Sequence, residues 1–599
     1  MTSTVLKTDS MQASPAAATA HSDADKYKIP FLVGIVGHRD LVPEEIPQIR
    51  LAIERLLQRL SGAYPDVRPV LLTSMAEGAD LLAAEVALEA GISVTCVLPF
   101  SATECRLDLQ SDASRALFDR VYATAEHLEV ARPGAEAVQS DAERREVQFQ
   151  RAGRVVAHYS TLLISVWDGQ DNGHRAGTAR TIEYRSRGFV PGGDDDASPA
   201  NGLLSARDND LMYEIRCTRL SHRSAAGVEE RGFSGSDVTD SHELPERLRA
   251  ILDSNAQFNR DVDEFYPRIA HEGHRLSLAS PYPTPDHLNY LDRMFQAADW
   301  LSGHNHSCFT RTIRARYLLW ALMAFLLVSF KKESVGTFGT IAILGVLTVF
   351  LLGFCLARWA HHGSWHRKYL DYRALAEGLR VEFYWEIAGV HRQFVGEFAH
   401  ESFLQRQDVE LEWIRTAMRA VSLRLDARHG GAVPHGFAQA FAGWVGDDDP
   451  VNGSGQLLYY RTRIEAFEQR IEIVEHVGRA LLFLGLALAS TFGIEMSLRS
   501  VGVDFLPQRL RTTMLWAIAL LPVYAAIFDT YVSEKADRAV VRQYRYMHSL
   551  FRVAARELRA THADVQKLEI LRSLGHACLA EHAQWILGHR DKRIEGLRW

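Results

Sequence analysis

The sequence predicts an α/β domain built on a parallel sheet at the N-terminus, followed by an all-α membrane region with four transmembrane helices in two hairpins and long cytosolic helices. Three observations carry this. From Phe31 to about Arg187, short β-branched runs alternate with amphipathic stretches, the pattern of a parallel sheet with helices on both faces. In the second half lie four apolar runs, Tyr317–Phe330, Thr337–Ala357, Ala480–Met496 and Leu510–Phe528. Each is near the length needed to cross a hydrocarbon core of about 30 Å. The 599 residues combine 47% apolar residues with a mean hydropathy of -0.12, which suits a chain partly in water and partly embedded.

Taken in order, residues 1–28 form a Ser-, Ala- and Thr-rich tail, read as disordered, without the continuous apolar core of a signal peptide. Phe31–Val36 reads as a buried strand and Pro43–Leu60 as a helix opened by Pro-Glu-Glu. Val70–Thr73 and Ile92–Leu98 are further strands, separated by a helix through Asp80–Ala90. Helical stretches around Ala113–Glu126 and Asp141–His158 precede a strand at Thr161–Trp167 and a helix at Thr178–Arg187. The domain is expected to cover residues 29–245, with inserts at about 189–210 and 221–241 and a last strand within Leu211–Arg219. From Pro285 the pattern is helical. Residues 285–478 form a first helix–hairpin–helix unit with spans at 315–330 and 337–357. Residues 479–599 hold a second hairpin with spans at 480–496 and 510–528, and C-terminal helices. The first run is short, and its helical lead-in and the snorkelling Lys331 and Lys332 lengthen it.

A net charge of -7 gives no support for a nucleic-acid partner, which would need a basic face. Six scattered cysteines without a CxxC argue against a disulfide framework or zinc knuckle. Arg311, Arg314 and Arg316 before the first hairpin, and Arg358, Arg367 and Lys368 after it, place the head on the cytosolic side. An even number of spans returns the C-terminus there. No metal site is expected at His361, His362 and His366, because adjacent histidines point to different helix faces. Trp365–Glu386 and Val540–Leu558 both carry Tyr-Arg pairs just beyond a hairpin. Duplication of one unit and the shared composition of interfacial helices both account for that echo.

Three loops in the head carry the chemistry. The first strand ends in Gly34-Ile-Val-Gly37-His38-Arg39-Asp40, which offers bare backbone N–H groups to an anion. It is neither a GxGxxG nor a Walker A motif. A bulky residue at Gly37 is expected to block that approach while leaving the fold intact. After the second strand comes Ser74-Met-Ala-Glu77-Gly78-Ala79-Asp80, where Ser74 and Glu77 also have the spacing of a capping box. The third loop holds Asp168-Gly169 and then Gly177-Thr178, which opens a helix. Three such strand ends converge on one sheet edge, where open α/β folds bind ligands. The candidate ligand residues are therefore Gly34, Gly37, His38, Arg39, Ser74, Glu77, Gly78, Asp80, Asp168, Gly169, Gly177 and Thr178, with no catalytic residue among them.

These loops, over about residues 29–220, resemble the ligand loops of SLOG domains. That Rossmann-like superfamily groups DprA/SMF proteins, LOG cytokinin-activating hydrolases and the N-terminal sensor region of TRPM channels. The helical half resembles SLATT membrane effectors through Ala297-Ala-Asp-Trp300, Tyr369–Arg380 and Leu579-Ala-Glu-His-Ala-Gln-Trp585 with His589-Arg590. It departs from them in having two hairpins rather than one. The resemblance implies a sensor of a nucleotide-like ligand, NAD-derived or cyclic, joined to an effector that perturbs the membrane in bacterial conflict or antiviral (anti-phage) defence. It also implies a multi-pass protein of the bacterial inner membrane with both termini cytosolic, acting as a homo-oligomer. The alternative is a membrane-tethered LOG-like nucleotide hydrolase or ribosyltransferase. Against it, Glu183 lies too far beyond Gly177-Thr178 to match the LOG catalytic loop, and Asp168-Gly169 replaces its Pro-Gly-Gly.

Overall fold

The computed structural model describes residues 23–590 apart from 131–139, 172–176, 188–208, 223–226, 280–281, 333–336, 395–397, 404–408, 427–432, 450, 503–505 and 535–536. The N-terminal tail up to residue 22, most of the 189–210 insert and both hairpin turns lie outside the described residues. The head runs β1 (Phe31–Gly37), α1 (Ile46–Ala63), β2 (Pro69–Thr73), α2 (Ala79–Glu89), β3 (Ser93–Leu98), α3 (Ala102–Leu107), α4 (Asp112–Thr124), β4 (Glu126–Glu129), α5 (Asp141–Tyr159), β5 (Leu162–Trp167), α6 (Thr178–Arg187), β6 (Met212–Arg216) and β7 (Glu229–Ser234). The strands form one seven-stranded sheet in the order β4-β3-β2-β1-β5-β6-β7, parallel except for the last pair. Leu32, Val33, Leu71, Leu163 and Ile164 are almost fully buried, as expected of strands covered on both faces.

β7 falls inside the 221–241 stretch that the sequence reads as an insert. It is an edge strand of sequence Glu-Glu-Arg-Gly-Phe-Ser with a register shift opposite Glu214 and Ile215, and charged, irregular edges hide the alternation that marks inner strands. A second difference is α7 (Glu246–Glu272), which begins the helical region well before Pro285. One set of its apolar residues, Leu248, Leu252 and Ala256, enters the sheet core. Another, Ile251, Phe258, Val262 and Ile269, enters the helical core. With two buried faces and buried Asn255, Asn259 and Asp261 between them, no single apolar stripe stands out.

The rest comprises α8 (Asn289–Lys332), α9 (Thr337–Gly363), α10 (Trp365–Ala388), α11 (Val390–Gln393), α12 (Ala399–Ser402), α13 (Glu412–Asp426), α14 (Gly436–Ala440), α15 (Gly455–Ser500), α16 (Gln508–Glu534), α17 (Asp537–Ala560) and α18 (Asp564–Arg590). The helices of the first hairpin unit are 44, 27 and 24 residues long (α8, α9, α10), and those of the second are 46, 27 and 24 (α15, α16, α17). In each, the long first helix packs on both the returning span and the helix that follows it. The two hairpins touch through α8 and α16. Below them, the ends of both units away from the hairpin turns share one core around the fully buried Trp385, whose Nε1–H donates to Leu571 O at 3.1 Å.

Four helices are long and apolar enough to cross a membrane, and they lie in α8, α9, α15 and α16. Their apolar side chains face outward, with Phe483 68% and Ile341 62% exposed. Such surface is stable in lipid and not in water. Glu495, near the end of α15, is enclosed and accepts from Arg511 Nη2 at 2.5 Å.

Head and helical region are joined by buried polar contacts. Arg247 in α7 donates through Nε and Nη2 to both oxygens of Glu412 (2.6 and 2.5 Å) and through Nη1 to Asp210 Oδ1 at 2.6 Å. Asn259 Nδ2 donates to Ile29 O and Asp66 O, and its Oδ1 accepts from Ile29 N–H. Removing Arg247 leaves two enclosed carboxylates facing each other, so Arg247→Ala should cost about 3–5 kcal/mol. Thermal unfolding of the detergent-solubilised chain checks this; a fall no larger than that of an exposed arginine variant such as Arg556→Ala would show that the clamp contributes little.

Candidate ligand site at the strand ends

β1 lies at the centre of the sheet, with β2, β3 and β4 added on one side and β5, β6 and β7 on the other, so connections leave β1 and β5 in opposite directions. The crevice outside their C-terminal ends is the place where such sheets receive ligands. Backbone bonds tie the loops there together: His38 N–H donates to Val166 O at 3.0 Å and Ala79 N–H to His38 O at 3.1 Å. His38 is buried, and its Nε2 accepts from the Asp168 N–H at 3.0 Å and lies 2.9 Å from Asp168 Oδ1. Burial pushes the His38 imidazole below its usual range, with Asp168 opposing in part. Burial alone would raise the Asp168 carboxyl, but the Gln170 N–H and the His38 ring outweigh it and hold it low.

The second loop enters through Met75, a non-glycine residue at φ 59° whose N–H donates to Thr73 Oγ1 at 3.0 Å. Ser74 Oγ donates to Asp80 Oδ2 at 2.5 Å, and Asp80 is enclosed at 3% exposure. Burial pushes its carboxyl up to about 6, against the pull of the Ser74 hydroxyl and the Arg39 charge. Arg39 is exposed at the mouth of the crevice, with its guanidinium 4.7 Å from the centre of the Phe149 ring. No carboxylate lies within ion-pair distance of it among the described residues.

Gly78 has φ +87°, and a Cβ there would stand 2.4 Å from His38 O and 2.5 Å from Arg39 O, so only glycine lets the loops close together. Gly37 is equally constrained. A Cβ would meet Ala79 Cβ at 2.4 Å and Val166 O at 2.8 Å. The expectation that it reserves space only for an anion therefore gives way, because a larger residue would push α2 off the sheet. Gly34 lies inside β1, packed against Ser160 and Leu163, away from the crevice. Gly169 sits under the Arg216 guanidinium, and Gly177 O accepts the first amides of α6, which Thr178 begins.

Glu77 is turned elsewhere. Its carboxylate accepts from Gln110 N–H (2.9 Å), Ser111 N–H (3.3 Å) and Ser114 Oγ (2.7 Å) at the start of α4. The capping-box alternative is also not realised, since α2 starts after Gly78 without a side-chain cap. The structure thus brings His38, Arg39, Ser74, Gly78, Asp80, Asp168 and Gly169 together, and leaves Gly34 and Glu77 out. It adds Arg216, stacked 4.5 Å from the Trp167 ring and paired with Glu214 at 2.7 Å, and the Asp40–Arg219 pair at 3.0 Å. β6, which carries Arg216, is weakly patterned, and only the parallel β5–β6 pairing shows that its end reaches this edge.

A cavity of about 2820 Å³ lies far from this crevice, at the base of the hairpins among α8, α9, α10, α15, α17 and α18. Arg311, Arg314, Arg463 and Arg470 line it, and none has a carboxylate within ion-pair distance among the described residues.

No protein-family model and no curated protein matches the chain. Among solved structures, it is similar to the DNA processing protein A (DprA) from Streptococcus pneumoniae, at 20% identity and a TM-score of 0.19. The match covers 29% of this chain and 54% of that one, about half its length. A likeness of that size assigns no residue and no activity.

Asp80 generates a test by pH. An acid whose folded pKa lies above its unfolded one binds its proton more tightly when folded, so its stabilising share is present at low pH and lost as pH rises through about 6. Asp80→Asn should therefore be more stable than the parent by up to about 3 kcal/mol above neutrality, with the gap closing towards acid. Thermal unfolding across that range checks it; a gap that does not change with pH would mean the Asp80 carboxyl is not raised.

Proposed function

We propose that the chain is a membrane-anchored sensor of a nucleotide-derived ligand, NAD-derived or cyclic, whose hairpins act on the bilayer. The observation that carries this reading is the crevice itself: at the switch point between β1 and β5, Arg39, with no carboxylate within ion-pair distance among the described residues, stands beside a glycine-turned helix start and a buried His38. A phosphate-bearing ligand suits that combination. The four apolar helices support an anchor crossing the membrane twice in each hairpin unit. The proposal places it in a bacterial inner membrane with both termini in the cytosol and gives it a role in conflict with phage. Four spans make a poor pore alone, so self-association belongs to the proposal. Arg311, Arg314, Arg463 and Arg470, with no carboxylate within ion-pair distance among the described residues, would favour an anion at the base of the hairpins.

The enzyme reading has one observation in its favour. Asp80, buried and raised to about 6, is the type of acid that catalysis uses. Against it, Glu183 is held on the face of α6 by Arg180 at 2.7 Å and Arg187 at 2.6 Å.

A thermal-shift panel of NAD+, ADP-ribose and cyclic nucleotides, with chromatography of each mixture, separates the two. The sensor reading expects one compound to stabilise the chain, by about 2.7 kcal/mol at a hundred times its Kd, without product, and Arg39→Ala to weaken that effect. Product formation that disappears in Asp80→Asn would replace the sensor by a hydrolase. No stabilisation by any compound would remove the nucleotide site.

A further inference from the structure

Where the head meets the helical region, α5 and α12 bring together three side chains of metal-binding type, His158, His400 and Glu401. His158 Nε2 and His400 Nε2 are 3.4 Å apart, and each lies 3.1 Å from Glu401 Oε1. A tetrahedral ion with nitrogen and oxygen ligands at about 2.0–2.1 Å holds neighbouring ligand atoms about 3.3 Å apart. The three atoms therefore form one face of such a tetrahedron.

The remaining ring nitrogens are held in the way metal-bound histidines require. His400 Nδ1 is 3.2 Å from Ser422 Oγ. The single proton of Ser422 has two acceptors in reach, Met418 O and Glu382 Oε1, both at 3.0 Å. The hydroxyl oxygen is then left to accept from His400 Nδ1–H, which puts the lone pair of the neutral ring on Nε2. His158 Nδ1 is 3.3 Å from the Tyr184 hydroxyl. A lone pair and a carboxylate oxygen 3.1 Å apart repel each other unless a cation or a proton lies between them.

We propose that His158 Nε2, His400 Nε2 and Glu401 Oε1 bind a divalent transition cation with zinc's preferences, leaving a fourth position for water. The ion would fasten α5 of the head to α12 of the helical region, a link independent of any nucleotide. Sequence spacing conceals it, because His158 is more than two hundred residues from His400.

The test uses the full chain in detergent, stripped with a chelator and titrated with Co2+. The proposal expects one Co2+ per chain, the strong visible d–d bands of a tetrahedral site, and displacement by Zn2+. His158→Asn, at the rim of the junction, and Glu401→Gln should each weaken binding about tenfold or more while the far-ultraviolet circular dichroism is kept. Co2+ bound equally well by both variants would place the metal elsewhere. Absence of stoichiometric metal in the parent would leave the three side chains as a hydrogen-bonded triad, and either result overturns the site. Should a variant fail to fold, the stoichiometry and spectrum of the parent chain decide by themselves.

Discussion

Arg247 holds its charge where neither half of the molecule could leave it unanswered. One side of its guanidinium meets Asp210 at the lead-in to β6, and the other meets both oxygens of Glu412 at the start of α13. Enclosed charges are tolerable only when each lone pair and proton has a partner, so the clamp fixes head and helical region in one relative arrangement. Around it α7 gives one face to each core, and Asp261 in the same helix accepts from Tyr372 Oη at 2.6 Å and Lys368 Nζ at 3.0 Å, just below the first hairpin. The arrangement of the hairpins is thus tied, through one helix, to the start of β6, the strand whose opposite end carries Arg216 at the crevice.

Such a tie is what a sensor needs, and it also limits what a ligand can do. A compound bound at the crevice shifts the hairpins only by the difference in its affinity for two arrangements of the clamp, however tightly it binds. The repeated units offer the second arrangement a natural form. Two hairpin units of near-equal dimensions meet through α8 and α16 and share one core at their base, so a change in how the units pack need not unfold either.

Much of this architecture was legible in the sequence because burial leaves simple patterns. The inner strands read as apolar runs since both faces are covered, and the spans read as long apolar runs since lipid asks nothing else of a surface. Elements serving two environments were not legible. α7 divides its apolar residues between two cores, and β7 is a charged edge. At the crevice, glycine spacing brought the three loops to one sheet edge but did not give the function of each glycine, because Gly34 and Gly37 are consumed by packing against Ser160, α2 and β5. Glu77 carried a misleading local signal, as its partners come from the following helix. Arg216 and the histidines of the junction depend on contacts between distant segments, which no local pattern records.

Hydrogen–deuterium exchange on the full chain in detergent, with and without NAD+, ADP-ribose or a cyclic nucleotide, tests the coupling most directly. The account predicts slower exchange in the β1, β2 and β5 loops together with altered exchange in α7 and at the base of α8 and α15. Slower exchange confined to the head, with α7 and the hairpin bases unchanged, would contradict it.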